Sequence, residues 1–387
     1  MMAANRIAEL DALRGLALLM VLFFHCVFHL GLGHVRAPSL FDWTWTGLDI
    51  FLVLSGYLIT RILLAAAPGP GYFLNFFLRR ALRIFPAYYA ALLLIFGLFP
   101  LLSPAFAASA TRDSIWIFAT YIQNWVFAWY GWPDWHALAH LWSMAVEEQF
   151  YLAWPFVVLA AGRERMKLLC LAIVGLAAGG KLLLFWLDGF SLSIYTSTLL
   201  RMDGIAAGAW LACYRPEDLR SQRGWLWLAG LVGIGLMLAV IVLRRGPGSV
   251  EYVLGSIGMV LASTALVGMT HAGVLPARVR GLLCRRLLVW YGVRSYSIYL
   301  LHYPVQAVIW ERIGPATIEA FQQAPLVVGL LVVLASVTVF TLAGLPLYYL
   351  VERPCMQLRV NVSWTHDRVS MEVWHASRPA AAAVLEK

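Results

Sequence analysis

Long apolar runs separated by short polar connections make up most of the chain. The first, from Leu10 to Leu30, holds about 20 residues of nearly unbroken apolar character, enough to cross a bilayer as a helix. The same pattern predicts ten spans, near 12–31, 47–66, 86–102, 142–161, 168–187, 198–213, 225–243, 251–270, 289–311 and 324–352. One further stretch, SIWIFATYIQNWVFAWY over 114–130, is apolar and aromatic enough to cross. Counting it as a crossing reverses the sidedness of every later connection. It is therefore expected as a re-entrant or interfacial element on the outer side, where its Trp and Tyr suit the headgroup level. Residues 72–86, YFLNFFLRRALRIFP, predict an amphipathic helix on the cytoplasmic surface. Arg79, Arg80 and Arg83 share one face at spacings of three and four, opposite Phe73, Phe76 and Phe77. Pro86 is expected to break this helix from the next span.

Composition turns these runs into a fold class. Of 387 residues 61% are hydrophobic and 13% charged, and the mean hydropathy is +0.76, far from a soluble domain. The expected fold is an all-α polytopic membrane protein. An integral-membrane domain covers 1–356, and a polar cytoplasmic tail covers 357–387. The net charge of +9 matters through its distribution. One set of connections carries Arg61, Arg79, Arg80, Arg83, Arg163, Arg165, Lys167, Arg215, Arg220, Arg223, Arg278, Arg280, Arg285 and Arg286. The alternate set carries Arg36, Arg112, Arg244, Arg245 and Arg312. That imbalance places the first set and both termini in the cytoplasm, with 31–46 and 103–141 outside. The basic residues thus report orientation, not nucleic-acid binding. Five scattered cysteines support neither a disulfide framework nor a zinc site, and no metal is expected.

Charges inside the spans supply the candidate chemistry. Arg14 and His25 are eleven positions apart, three helical turns plus roughly 20°, so they share one stripe roughly 16 Å apart along the axis. By depth, His25, Asp49, Glu147, Glu148, Arg201, Asp203 and His302 are expected in the outer half of the membrane. Arg14 and the Arg79–Arg83 cluster are expected at the inner side. A histidine near carboxylates in a dry cavity is what a general base requires. An inner basic patch is what a polyphosphate ligand requires. Together they point to transfer of a group across the membrane. The alternative is a set of buried ion pairs, such as Arg201 with Asp203 or a neighbouring carboxylate, that hold helices in register.

Several stretches then match a known pattern in order. The Arg14/His25 pair, WTGLDIFLVLSGYLIT (45–60), LRRALRIFPAYY (78–89), HLWSMAVEEQFYLAWP (140–155), RMDGIAAG (201–208), YGVRSYSIYLLHYPV (291–305) and VERP (351–354) resemble the acyltransferase family 3 membrane proteins. These are bacterial O-acyltransferases that modify surface glycans and some exported small molecules. The resemblance implies an acyl-coenzyme A donor from the cytoplasm, usually acetyl, and a hydroxyl-bearing acceptor, often a glycan. It also implies a site in the bacterial cytoplasmic membrane. Family members with an appended extracytoplasmic hydrolase-like domain are longer, so a stand-alone membrane domain is expected.

In that light His25 is the expected general base on the acceptor hydroxyl. Glu147 or Glu148 would orient the imidazole. As neighbours they point about 100° apart, so only one can share a face with His25, and Glu147 is favoured. Ser143, four positions earlier, would support Glu147 or bond back to its own helix. Arg14, Arg79, Arg80 and Arg83 would hold the donor's phosphates, where a guanidinium fork suits better than an ammonium. Tyr296, Tyr299 and His302 follow one rough stripe that could line the acceptor side, with plain packing and a hydrogen-bonded hydroxyl as the favoured role of the tyrosines, and Asp49, Arg201 and Asp203 would stand behind them. An acyl-enzyme on Cys26 is disfavoured, because adjacent helix positions do not face one another. The same chemistry on a macrolide or polyketide sugar, or on a lipid, is the alternative function. A proton-coupled transporter is more remote, since repeated halves are not evident.

Overall fold

In a bilayer every backbone polar group must find its partner within the segment, and a chain of apolar runs answers this with helices. The computed structural model describes residues 7–29, 44–66, 68–103, 115–132, 136–243 and 250–358, and among these the regular structure is helical with no strand. The expected outer segment 31–46 is thus described only from residue 44, residues 104–114 of the second are outside the described residues, and so is the tail beyond 358. The main helices are α1 (Ala8–His29), α2 (Gly47–Ala65), α3 (Tyr72–Leu93), α4 (Ile115–Ala119), α5 (Gln123–Tyr130), α6 (Trp142–Asp188), α7 (Thr198–Ala212), α8 (Arg223–Leu243), α9 (Val250–Ala272), α10 (Arg286–Gln323) and α11 (Pro325–Leu347). Six of the described helices are long and apolar enough to cross a membrane.

Two features differ from the sequence expectation. The first is Pro86, which lies inside α3 and does not end it. The helix continues through a π-helical turn at Leu94–Leu98 to Leu102, 31 residues in all. A continuous helix of that length spans about 46 Å, more than the hydrocarbon thickness, so its arginine-bearing start projects past the apolar zone. The second is α10, where the expected span 289–311 is extended in one helix as far as Gln323. The opposite adjustment occurs in α6. Gly162 adopts φ 64° and ψ 175°, a left-handed conformation that glycine alone reaches without strain, and divides α6 into the two spans expected there.

The α4–α5 segment is too short to cross, at five and eight residues, and Tyr121 breaks it with φ 55°. Its polar face is tied into the bundle: Gln149 donates to the Tyr121 carbonyl (2.7 Å) and to Asn124 Oδ1 (2.9 Å), and Gln123 donates to the Leu141 carbonyl (2.8 Å). Its outer face exposes Trp116 and Trp129. The packing of α1 on α10 makes the same point by parity. Gly15 meets Leu288 and Gly292, and ten residues later His25 meets His302, so the two helices run parallel. Seven of the expected spans lie between them, a number that returns the chain in the same direction; an eighth crossing at 114–130 would make the pair antiparallel.

Glycine allows that pairing. A Cβ on Gly15 would lie 2.0 Å from the Leu288 carbonyl oxygen, and one on Gly292 would lie 1.7 Å from that of Asp11. The backbones touch directly, as small residues permit between membrane helices. The contact fixes the register of Arg14 and His25 against α10.

Candidate active site

Arg14 is carried to the centre of the bundle by this α1–α10 contact. There it lines a cavity of about 80 Å³ together with Arg80, Arg83, Glu147, Glu148, Tyr151 and Tyr299. The arginines come from two sources: α1 contributes Arg14, and the projecting start of α3 contributes Arg80 and Arg83. Arg79, on the same helix, is not among the lining residues. Asp11 pairs with Arg14 at 3.5 Å. Arg80 stands over the Tyr151 ring at 5.5 Å and the Phe76 ring at 5.9 Å. The Tyr151 hydroxyl donates to Glu147 Oε2 at 2.6 Å and lies 3.2 Å from Ser55 Oγ.

Glu147 and Glu148 were expected at the depth of His25, and the structure places them with the arginines. The reason is the descent of α6: Ser143, Glu147 and Tyr151 follow at single-turn intervals, each about 6 Å further along the axis. Only Ser143, at the top, reaches the level of the histidines. Its hydroxyl lies 2.8 Å from the Tyr299 hydroxyl and donates to the His140 carbonyl at 3.2 Å. Ser143 thus meets Tyr299 and its own backbone, while Glu147 meets Tyr151.

His25 lies in a cluster of three histidines that adjoins Tyr299 through His302 and His140. His302 Nε2 is 3.2 Å from His25 Nδ1, and the two rings are 5.0 Å apart. His140 packs its ring 4.9 Å from that of His302, and Tyr303 packs 4.5 Å from His25. His140 and His302 are buried, and His25 is half-buried. Tyr299 is common to both places. It lines the cavity, and its ring sits 5.2 Å from His302 and 5.3 Å from His140. Its hydroxyl donates to the His140 carbonyl at 2.8 Å. Among the described residues no group of three or more His, Cys, Asp or Glu side chains is arranged to hold a metal ion.

Asp49, Arg201 and Asp203 belong to neither place. Arg201 pairs with Asp49 at 2.5 Å, and Asp203 pairs with Lys181 at 2.5 Å. Ser256 joins the two pairs, 3.2 Å from each cation. Lys181 and His140 were not singled out from the sequence. A lone lysine within an apolar span is a sufficient signal for the first. For the second, the signal was the histidine that opens the HLWS segment.

A family model described as an acyltransferase domain matches residues 7–345, nearly all of the helical bundle. The chain belongs to this family. Among its relatives, a peptidoglycan O-acetyltransferase OatA of Listeria monocytogenes is 28% identical over 326 residues, covering 77% of this chain and 49% of the relative. A putative peptidoglycan O-acetyltransferase, YrhL of Bacillus subtilis, is 32% identical over 321 residues, covering 77% and 48%. An O-acetyltransferase OatA of Staphylococcus aureus is 27% identical over 311 residues, covering 76% and 50%. The chain therefore spans about half the length of these relatives. No solved structure matches it. The Arg14, Arg80, Arg83, Glu147 and His25 positions all fall within the matched family region.

Proposed function

We propose that this acyltransferase-family protein is a membrane O-acyltransferase. It takes an acyl group, in the first instance acetyl, from acyl-coenzyme A on the cytoplasmic side. It passes that group to a hydroxyl of a glycan or other exported acceptor at or near the outer side. The names of the relatives favour O-acetyl transfer to a cell-wall glycan. The distribution of basic connections supports both termini on the cytoplasmic side, and the family resemblance favours the bacterial cytoplasmic membrane.

One observation carries the reading: a cavity lined by Arg14, Arg80 and Arg83 is lined also by Tyr299, and the Tyr299 ring packs against His302 and His140 of the histidine cluster. Anionic phosphates fit the arginine end, where each guanidinium supplies charge-assisted donors. Glu147 and Tyr151 shape the middle of the cavity. In the histidine cluster His25 removes the proton from the acceptor hydroxyl as its oxygen attacks the thioester carbonyl. The tetrahedral intermediate collapses, the carbon–sulfur bond breaks, and the coenzyme A thiolate recovers the proton held by His25. A positioned base of this kind accounts for about 10²–10⁴-fold in rate. Paired as they are, Asp49, Arg201 and Asp203 serve the bundle and not the reaction.

The test is transfer from acetyl-coenzyme A to a soluble glycan fragment by the purified, detergent-solubilised protein. His25→Gln and His25→Ala should each lose at least about 10²-fold in kcat, with donor affinity and melting temperature near those of the unmodified protein. Near-normal turnover in His25→Gln removes His25 as the base.

A further inference from the structure

We infer that His302 is the positioning residue of the His25 base, fixing Nε2 as the nitrogen that takes the acceptor's proton. The inference rests on the reading of His25 given above and follows from counting hydrogens. A carbonyl oxygen only accepts, so the 2.6 Å contact between His302 Nδ1 and the Tyr299 carbonyl places a proton on that nitrogen. In the neutral ring His302 Nε2 then carries the lone pair. It lies 3.2 Å from His25 Nδ1, which must donate. The Val21 carbonyl, 3.0 Å from the same nitrogen, makes the same demand. His25 is thus held with its proton on Nδ1, and Nε2 is its accepting atom.

The chain of donors runs from His25 through His302 to the Tyr299 carbonyl. When His25 takes a proton, its Nδ1–H becomes a charged donor and the bond to His302 strengthens. No proton has to move on to His302. In many sites a carboxylate holds this position, but an ionised carboxylate with no exposure would be expensive to desolvate. His302 is 0% exposed, and a neutral imidazole supplies the acceptor without a buried charge. The carboxylate the sequence favoured for this role, Glu147, is engaged by Tyr151 in the cavity.

The same helix face grips the end of α1 at two more points. Gln306, one turn beyond His302, donates to the His25 carbonyl at 2.8 Å. Tyr303 packs against the imidazole. With Gly15 on Gly292 three turns earlier, the ring has a fixed origin, a fixed carbonyl and a fixed Nδ1 partner.

Two variants at position 302 separate positioning from packing. His302→Gln offers an amide oxygen as the replacement acceptor, whereas His302→Leu keeps the bulk and offers none. We expect kcat to fall about 10²-fold in the Leu variant, the scale of a misplaced catalytic group, and to stay within about threefold in the Gln variant. Affinity for acetyl-coenzyme A and melting temperature should not change in either. Wild-type kcat in the Leu variant overturns the inference, and so does an equal loss in both variants that tracks melting temperature. The second measurement needs no variant fold to survive at low stability. In ¹⁵N-histidine-labelled protein at alkaline pH, the His25 and His302 rings should both show a protonated Nδ1 and an unprotonated Nε2. A His302 protonated on Nε2 overturns the inference. Loss of the His25 requirement itself, in the Gln variant at position 25, would instead overturn the reading on which it rests.

Discussion

Two groups of charges lie inside the bundle, each built from basic and acidic side chains. Asp49, Arg201, Lys181 and Asp203 form one, and Arg14, Arg80, Arg83, Glu147 and Glu148 form the other. In the first, each cation has a carboxylate at 2.5 Å and shares Ser256, all of it buried, and the partners come from α2, α6, α7 and α9. In the second, the charges face a cavity, and among the described residues Arg83 forms no salt bridge. The presence of mixed buried charge therefore does not distinguish a structural charge from a ligand-binding one. Closure does. A closed knot pairs its charges with one another out of reach of a ligand, and its removal is felt as stability. An open set has donors aimed at empty volume, and its removal is felt as affinity.

The largest expected effect breaks the knot. Lys181→Met leaves Asp203 buried without its cation and should destabilise the protein by about 3–5 kcal/mol. The double variant Lys181→Met/Asp203→Leu removes both charges at similar volume and should recover most of that loss. Thermal unfolding in detergent measures both. The recovered double variant should also transfer acyl groups at close to the normal rate. A stable but inactive double variant would show that the knot belongs to the reaction, and the comparison would fail.

A smaller effect is expected at the cavity. Arg83→Ala and Arg80→Ala each remove charge-assisted bonds to phosphate worth about 1.5–3 kcal/mol. That corresponds to roughly 10- to 100-fold in Kd for acetyl-coenzyme A, with little change in melting temperature. Calorimetric titration of the purified variants reads it directly. Unchanged affinity in both would leave these arginines as signals of membrane orientation.

The contrast also explains what could be read from the chain. The helices were legible because apolar runs of membrane length have one solution in lipid, and α1, α2 and α7 lie where the pattern puts them. The interruption at 114–130 was legible from the basic connections, although its anchoring through Gln149 was not. Pro86 misleads because the rule that proline ends helices is drawn from water; within a bundle a helix can run through it. Arg14, Arg80, Arg83 and Glu147 were legible as chemistry-bearing residues, and their common cavity was not. The contact of His25 with His302 joins positions 277 apart in sequence. Nothing local records it; it depends on where Gly15 lets α1 meet α10. Depth along a helix also differs from depth in the bundle, which is why Glu147 lies with Arg14 and Ser143 with the histidines.

The smallest expected effect is at Arg79, and it tests the boundary of the open set. By spacing alone Arg79 is as good a neighbour of Arg83 as Arg80 is, being four positions away where Arg80 is three. On a helix these two lie on opposite sides of Arg83, about 40° one way and about 60° the other. The cavity lies on the Arg80 side: Arg80 and Arg83 line it with Ile84, and Arg79 does not. If closure and aim decide function, Arg79→Ala should change the affinity for acetyl-coenzyme A by no more than about twofold, within the 0.5 kcal/mol typical of surface substitutions. The measurement is the same titration, run beside Arg80→Ala. A loss at Arg79 equal to that at Arg80 would mean that the bound donor extends around the α3 surface beyond the cavity, and that the open set is larger than the residues lining it.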